Sequence, residues 1–254
     1  MTHCLQTKNL CHSFGGLTVT RDVTLTLEEG ARTALIGPNG AGKTTLVNLL
    51  SGALRPQSGE IFMDDRSIVN LPQYARARSG IVRTFQVSRL FKELTVAENI
   101  EIAVLQRHRA AMQWWPSRKR TAQVHEEVYE TLDLLGLRPN ASRTVGQLAL
   151  GEQRLAEIAL ALAMRPQVLL LDEPAAGVPQ GESGRIMDAI KSLPKDLSVL
   201  LIEHDMDLVF RFASRIIVLV AGAVMAEGAP REIAANEQVK QIYFGRDGHG
   251  QANY

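Results

Sequence analysis

Apolar positions along the chain follow two different rhythms. Between residues 17 and 36 they come in short pulses, with Val23, Leu25 and Leu27 alternating with polar residues before Thr33-Ala34-Leu35-Ile36. A period of two turns one face of an extended chain toward a core, so this stretch predicts strands running into the glycine-rich turn after Ile36. Thr45-Leu46-Val47-Asn48-Leu49-Leu50 predicts a helix stopped at Ser51-Gly52, and Glu60-Ile61-Phe62-Met63 a strand before a polar turn. From about residue 88 to 165 the rhythm changes. Val124, Val128, Leu132 and Leu135 recur at helical spacing and strand signals vanish, which predicts a helical lobe inserted into an α/β core. Uninterrupted apolar runs then return at Val168-Leu169-Leu170-Leu171, at Val199-Leu200-Leu201-Ile202 and over 216–220. Runs of that length with no polar face predict strands covered on both sides, as in a parallel sheet. The helical pattern from Glu182 to Leu193, between the first two runs, supplies a βαβ crossover. The residues after Gly245 are rich in Gly and Asn and predict a frayed tail.

Composition narrows the function classes. The 254 residues suit one large domain or a core with a smaller lobe. The net charge of +1 lacks the basic excess of a nucleic-acid protein, so no nucleic-acid partner is expected. Cys4 and Cys11 complete neither a zinc site nor a disulfide framework, and they read as reduced thiols of a cytosolic protein. Met1-Thr2-His3-Cys4-Leu5 carries no leader pattern, and no apolar run approaches the about 18 residues of a membrane span. A membrane role would have to be supplied by partners.

The chemistry starts at the turn. Gly37-Pro38-Asn39-Gly40-Ala41-Gly42-Lys43-Thr44 fits the P-loop pattern throughout and stands between a predicted strand and a predicted helix. Glycines let the backbone curl until successive N–H groups point at phosphate oxygens, and the helix N-terminus adds partial positive charge. Lys43 supplies a full charge to the β- and γ-phosphates, and the Thr44 hydroxyl is a ligand for Mg²⁺. Leu169-Leu170-Leu171-Asp172-Glu173 brings two carboxylates to the C-terminal edge of a parallel sheet, where ligands bind. Asp172 there suits magnesium, directly or through water, and Glu173 suits the polarisation of a water that attacks the γ-phosphate. The pair of elements, shared by many P-loop enzymes, predicts a nucleotide site.

Further segments narrow the choice. Leu148-Ala149-Leu150-Gly151-Glu152-Gln153-Arg154, just before the strand that ends in Asp172-Glu173, resembles the signature of the ATPase subunits of ABC transporters. Gln86, in Arg83-Thr84-Phe85-Gln86, resembles that family's Q-loop glutamine, which senses the γ-phosphate and Mg²⁺. His204, in Ile202-Glu203-His204-Asp205, resembles its switch histidine, and Phe14 stands where the family stacks an aromatic on adenine. Singly, Gln86 reads as a surface glutamine, His204 as an ordinary histidine and Phe14 as a core aromatic. Their order along the chain favours the family reading. A narrower likeness, to the branched-chain (hydrophobic) amino-acid uptake subfamily, lies in Arg89-Leu90-Phe91, Leu94-Thr95-Val96-Ala97-Glu98-Asn99, Asp172-Glu173-Pro174-Ala175-Ala176-Gly177 and Glu203-His204-Asp205-Met206.

The resemblance implies a P-loop NTPase core with a parallel sheet, an antiparallel β subdomain and an inserted α-helical lobe. It divides a single domain over 1–245 into a core (1–87 and 166–225), a lobe (about 88–165) and a C-terminal extension (226–245), with a flexible tail at 246–254. Residues 37–45, Thr45 included, would grip the triphosphate. Glu173, His204 and Gln86 would be the catalytic set, with Thr44, Gln86 and Asp172 around magnesium. Residues 148–153 would close over the ATP of a second ATPase subunit, identical or paralogous. Two permease subunits and a periplasmic binding protein complete such importers, which place the ATPase on the cytoplasmic face of the inner membrane. Cargo stays open, since related importers carry urea, amides or aromatic acids. The rival from another class is a non-transport ABC ATPase of DNA repair, chromosome maintenance or translation, and a third is an assembly subunit that binds ATP without transport turnover.

Three segments depart from the pattern. Ala149 and Leu150 replace the signature's serine and first glycine, and Val178-Pro179-Gln180 differs from the usual Leu-Asn-Pro. Glu152 would set a carboxylate near a γ-phosphate, an unfavourable neighbour. A basic stretch (Arg107, His108, Arg109 and Arg118-Lys119-Arg120) flanks Trp114-Trp115, and reads as a solvated loop or as a contact with lipid headgroups or permease.

Overall fold

The structure is a computed structural model, and it describes residues 3–84, 90–108 and 118–243. Its elements begin with β1 (His3–Phe14), β2 (Leu17–Glu28), β3 (Arg32–Ile36), α1 (Lys43–Ser51), β4 (Ser58–Met63) and β5 (Arg66–Ser67). Next come α2 (Gln73–Arg78), β6 (Ile81–Arg83), α3 (Val96–Arg107), α4 (Arg118–Leu134), α5 (Leu150–Leu162), β7 (Val168–Asp172) and α6 (Gln180–Lys191). The chain closes with β8 (Ser198–Ile202), α7 (Met206–Phe212), β9 (Arg215–Val220), β10 (Ala223–Gly228), α8 (Pro230–Ala235) and α9 (Glu237–Tyr243). Two compact units result: Met1–Asn70 with Leu200–Tyr254, and Leu71–Val199.

The first unit holds an antiparallel sheet in the order β2-β1-β4-β5 and the strand order β10-β9-β3-β8. Alternation along β2 sends Val23, Leu25 and Leu27 into its core, as the period of two requires, and Leu5 and Leu10 of the bulged β1 are buried with them. β3 pairs in parallel with β9, Thr33 against Arg215 through Ile36 against Val218. Leu46, Val47, Leu49 and Leu50 of α1 are fully buried, and the helix stops at Gly52, whose left-handed backbone returns its N–H to Leu49 O.

In the second unit β6 pairs in parallel with β7, and Thr84 N extends the ladder to Leu170 O. Val124, Val128 and Leu132 of α4 form one buried stripe, which is why their spacing was legible. α3 opens on a capping box in which Thr95 Oγ1 accepts from Glu98 N and Glu98 Oε2 accepts from Thr95 N, holding the Glu98 carboxyl below its usual range. Arg107 from the end of α3 pairs with the buried Glu127 of α4, and His108 and Arg165 join them. The described residues of 90–165 contain α3, α4, α5 and two short 3₁₀ turns, with an isolated bridge between Thr95 and Thr144 in place of a strand. The predicted strands at 168, 199 and 216 are β7, β8 and β9, and the helix predicted at Glu182 begins two residues earlier. No helix among the described residues is long and apolar enough to cross a membrane.

Candidate functional site

The phosphate loop lies in the first unit, where β3 runs through residues 37–42 into α1. Its shape is fixed by backbone bonds, Ala41 N to Pro38 O at 3.1 Å, Gly222 N to Ala41 O at 3.0 Å and Leu46 N to Gly42 O at 2.8 Å. Gly42 has φ 102°, and a Cβ there would stand 2.4 Å from Val19 O. No other residue type fits that turn. Lys43 Nζ donates to Gly37 O at 2.6 Å and Pro38 O at 3.0 Å, so the ammonium is drawn back over the loop it closes. Pro38, Asn39, Gly40 and Thr44 are exposed, which leaves the mouth of the loop open.

Phe14 ends β1 at the Gly15-Gly16 turn with 51% of its surface exposed. It is not a core aromatic. Gln57 clamps the strand just behind it, accepting from Ser13 N at 2.9 Å and donating to Ser13 O at 3.1 Å. His204 lies between the end of β8 and the N-cap of α7, where Asp205 Oδ1 accepts from Asp207 N and Leu208 N. Its side chain is exposed, with Nδ1 3.9 Å from the buried Glu203 carboxylate.

The carboxylates belong to the second unit. Asp172 ends β7 and is buried, and Arg83 Nη2 from the end of β6 meets Asp172 Oδ2 at 2.7 Å, itself nearly sealed from solvent. Glu173 follows with φ 48°, a left-handed backbone that turns the chain sharply off the sheet. Both carboxylates line a small cleft with Thr84, Arg154, Glu157, Ile158 and Pro174. Arg154 Nη1 donates to Glu157 Oε2 at 2.8 Å, whereas Glu157 Oε1 is buried with no partner. Removing Arg83 would leave the Asp172 charge buried beside a second acid. An Arg83→Gln variant is expected to lose about 3–5 kcal/mol of stability, read by urea unfolding, and an added Asp172→Asn should recover part of that loss.

The segment 148–153 opens α5 in the same unit. Leu148 and Gly151 are buried, Ala149 and Leu150 exposed. Glu152 Oε2 accepts from Ala149 N at 3.0 Å, its Oε1 accepts from Asn140 Nδ2 at 2.9 Å, and Arg143 Nη1 lies 3.6 Å away. The carboxylate is thus the helix's own N-terminal cap, where the helix dipole favours it. Gln153 Nε2 donates back to Leu148 O. A Cβ added at Gly151 would come within 2.4 Å of Glu182 Oε2 from α6, so a side chain at 151 would displace the Glu182 carboxylate.

The donor set suits magnesium. Magnesium takes hard oxygens, typically one or two carboxylates with a hydroxyl, phosphate oxygens and water, and needs no dedicated protein cage. Asp172 in the second unit and Thr44 in the first are each donors of that kind, and the described residues contain no cluster of three or more His, Cys, Asp or Glu that could hold a metal ion.

The sequence profile described as ABC transporter matches residues 20–176, more than half of the chain. The chain belongs to the ABC transporter family. The high-affinity branched-chain amino acid transport ATP-binding protein BraF of Pseudomonas aeruginosa is 40% identical over 251 residues, covering 95% of this chain and 97% of BraF. LivG of Escherichia coli, which carries the same description, is 39% identical over 248 residues, with 95% and 97% covered. An ATP-binding cassette of an ABC transporter solved in its ADP conformation superposes with a TM-score of 0.84 at 30% identity, covering 96% of this chain and all of that one. A bacterial ABC transporter cassette solved as a dimer gives 0.74 at 27% identity, over 89% of this chain and 99% of that one.

The phosphate loop, Phe14 and His204 share the first unit, and Asp172, Glu173 and 148–153 share the second. Gln86 and the Trp114-Trp115 segment fall outside the described residues. Nothing in the sequence pattern marks Arg154 or Glu157, which line the cleft, nor Arg83 beside Asp172. The signal of Arg83, an arginine ending a strand next to the acidic one, becomes visible only when the β6–β7 pairing is known. Glu152, expected from sequence to stand near a phosphate, has both oxygens hydrogen-bonded within its own unit.

Proposed function

We propose that this chain is the ATP-hydrolysing subunit of an ABC importer for branched-chain or related amino acids. It would act as a dimer with an identical or paralogous ATPase, bound to two permease subunits on the cytoplasmic face of the membrane and served indirectly by a periplasmic binding protein. The observation that carries this reading is the 40% identity to BraF along nearly the whole of both chains, with the phosphate-loop lysine and the Asp172-Glu173 pair in place. A repair, chromosome or translation ATPase finds no counterpart in those relatives, which are transport proteins by description.

In this reading Phe14 stacks on adenine while the N–H groups of 37–45 and the Lys43 ammonium take the phosphates. Lys43 exchanges its bonds to Gly37 O and Pro38 O for phosphate oxygens as the nucleotide enters. Thr44 and Asp172, with Gln86, would hold magnesium, which neutralises charge building on the phosphate oxygens. Glu173 accepts a proton from the attacking water, and His204 orients that water and the γ-phosphate. The signature of the partner subunit closes the site through backbone N–H groups around Gly151, since Ala149 has no hydroxyl to offer. Closing and reopening of the dimer drive the permeases between their two faces.

The test is reconstitution. The chain should co-purify from membranes with a multi-span permease, and in proteoliposomes its ATP turnover should rise several-fold with leucine-loaded binding protein. Stimulation by a urea- or amide-loaded receptor instead would change the cargo. Failure to associate with any permease would remove the transport reading.

A further inference from the structure

We propose that His12 is a positioning residue for the nucleobase, holding the Phe14 ring edge-on in the pose that receives adenine. The inference rests on the reading of Phe14 as the base platform. Phe14 sits at a hairpin tip, and its register partner Leu17 is itself 68% exposed, so that pair does little to fix the ring. A loosely held aromatic loses side-chain freedom when a base stacks on it, which weakens binding. The His12 ring lies 4.7 Å from the Phe14 ring, centroid to centroid, at 79° between planes, the edge-to-face geometry favoured by aromatic quadrupoles. Both His12 ring nitrogens are shielded from solvent and have no hydrogen-bond partner, and Thr20, opposite in register, has a buried hydroxyl without one either. Buried polar atoms left unpaired are unfavourable, so hydrogen bonding does not explain an imidazole here. Its ring contact is with Phe14. The two bonds between Gln57 and Ser13 pin the backbone between the two rings, leaving the ring torsions as the freedom that His12 removes.

The experiment compares ATP with inorganic tripolyphosphate, which has the phosphates and no base, by calorimetry on the full chain. His12→Leu, which fills similar volume without an aromatic edge, should weaken ATP about three- to tenfold and leave tripolyphosphate within about twofold. His12→Phe should restore most of the ATP affinity. Phe14→Ala serves as the control for the platform. If Phe14→Ala weakens ATP selectively and His12→Leu does not, the positioning role is wrong while the platform stands. If Phe14→Ala leaves the ATP-to-tripolyphosphate ratio unchanged, the platform reading fails first. Equal weakening of both ligands by His12→Leu, or no rescue by His12→Phe, overturns the edge-on contact.

Discussion

A Glu173→Gln variant is expected to bind ATP and hold it unhydrolysed. The substitution keeps the length and shape of the side chain beside Asp172 and removes its ability to take a proton. General bases of this kind contribute about 10²–10⁴-fold, so turnover should fall by at least about a hundredfold. The groups proposed to bind phosphate, Lys43 and the backbone of 37–42, are left unaltered by the substitution. Unhydrolysed ATP should then hold two subunits together, giving a dimer on size-exclusion chromatography with ATP and sodium that ADP does not support. The related cassette solved as a dimer gives this experiment its reference point. Turnover within a few-fold of the parent would strip Glu173 of its role. A monomer at every ATP concentration, with the paralogous subunit present as well, would remove the composite site.

Lys43→Ala should abolish both steps. In the proposed site the ammonium would provide charge-assisted hydrogen bonds to phosphate, each worth about 1.5–3 kcal/mol, so loss of two corresponds to a weakening of at least about a hundredfold. The fold should survive. Lys43 is only half-buried, while α1 is held by Leu46, Val47, Leu49 and Leu50, which the substitution leaves in place. Fluorescent-nucleotide titration reads the first effect and thermal melting checks the second. ATP affinity within a few-fold of the parent would mean that residues 37–45 are not the phosphate site.

What the sequence revealed and what it hid divide along physical lines. β7 and β8 were legible because every residue in each is buried, which leaves an uninterrupted apolar run. The helix at 43–51 announced itself through its buried face and its terminal glycine. β1 and β10 were not read. β1 carries bulges that break its alternation around His12, and β10 is half-exposed along most of its length. The short helices α2, α7 and α8 offer too few turns for a period to show. In the candidate site, loop and acid pair were visible because their chemistry is local in sequence. The Arg83–Asp172 pair joins residues 89 positions apart, and the Arg154–Glu157 pair, three residues apart on one helix, is set apart only by its burial. Glu152 shows the same limit in reverse. The partners that engage this carboxylate within the chain could not be read from sequence, because Asn140 and Arg143 come from a preceding turn.

The left-handed backbone at Glu173 bears on any effort to evolve this chain. For a residue with a Cβ that conformation costs about 1–2 kcal/mol, a cost that glycine escapes and asparagine partly escapes. The position proposed for the chemistry is therefore one where the fold would be more comfortable with a residue that has no carboxylate. Laboratory selection for heat tolerance alone would push position 173 toward such a residue, enriching proteins that are sturdier and inert. A library of this chain has to be screened for turnover in the same round as for folding.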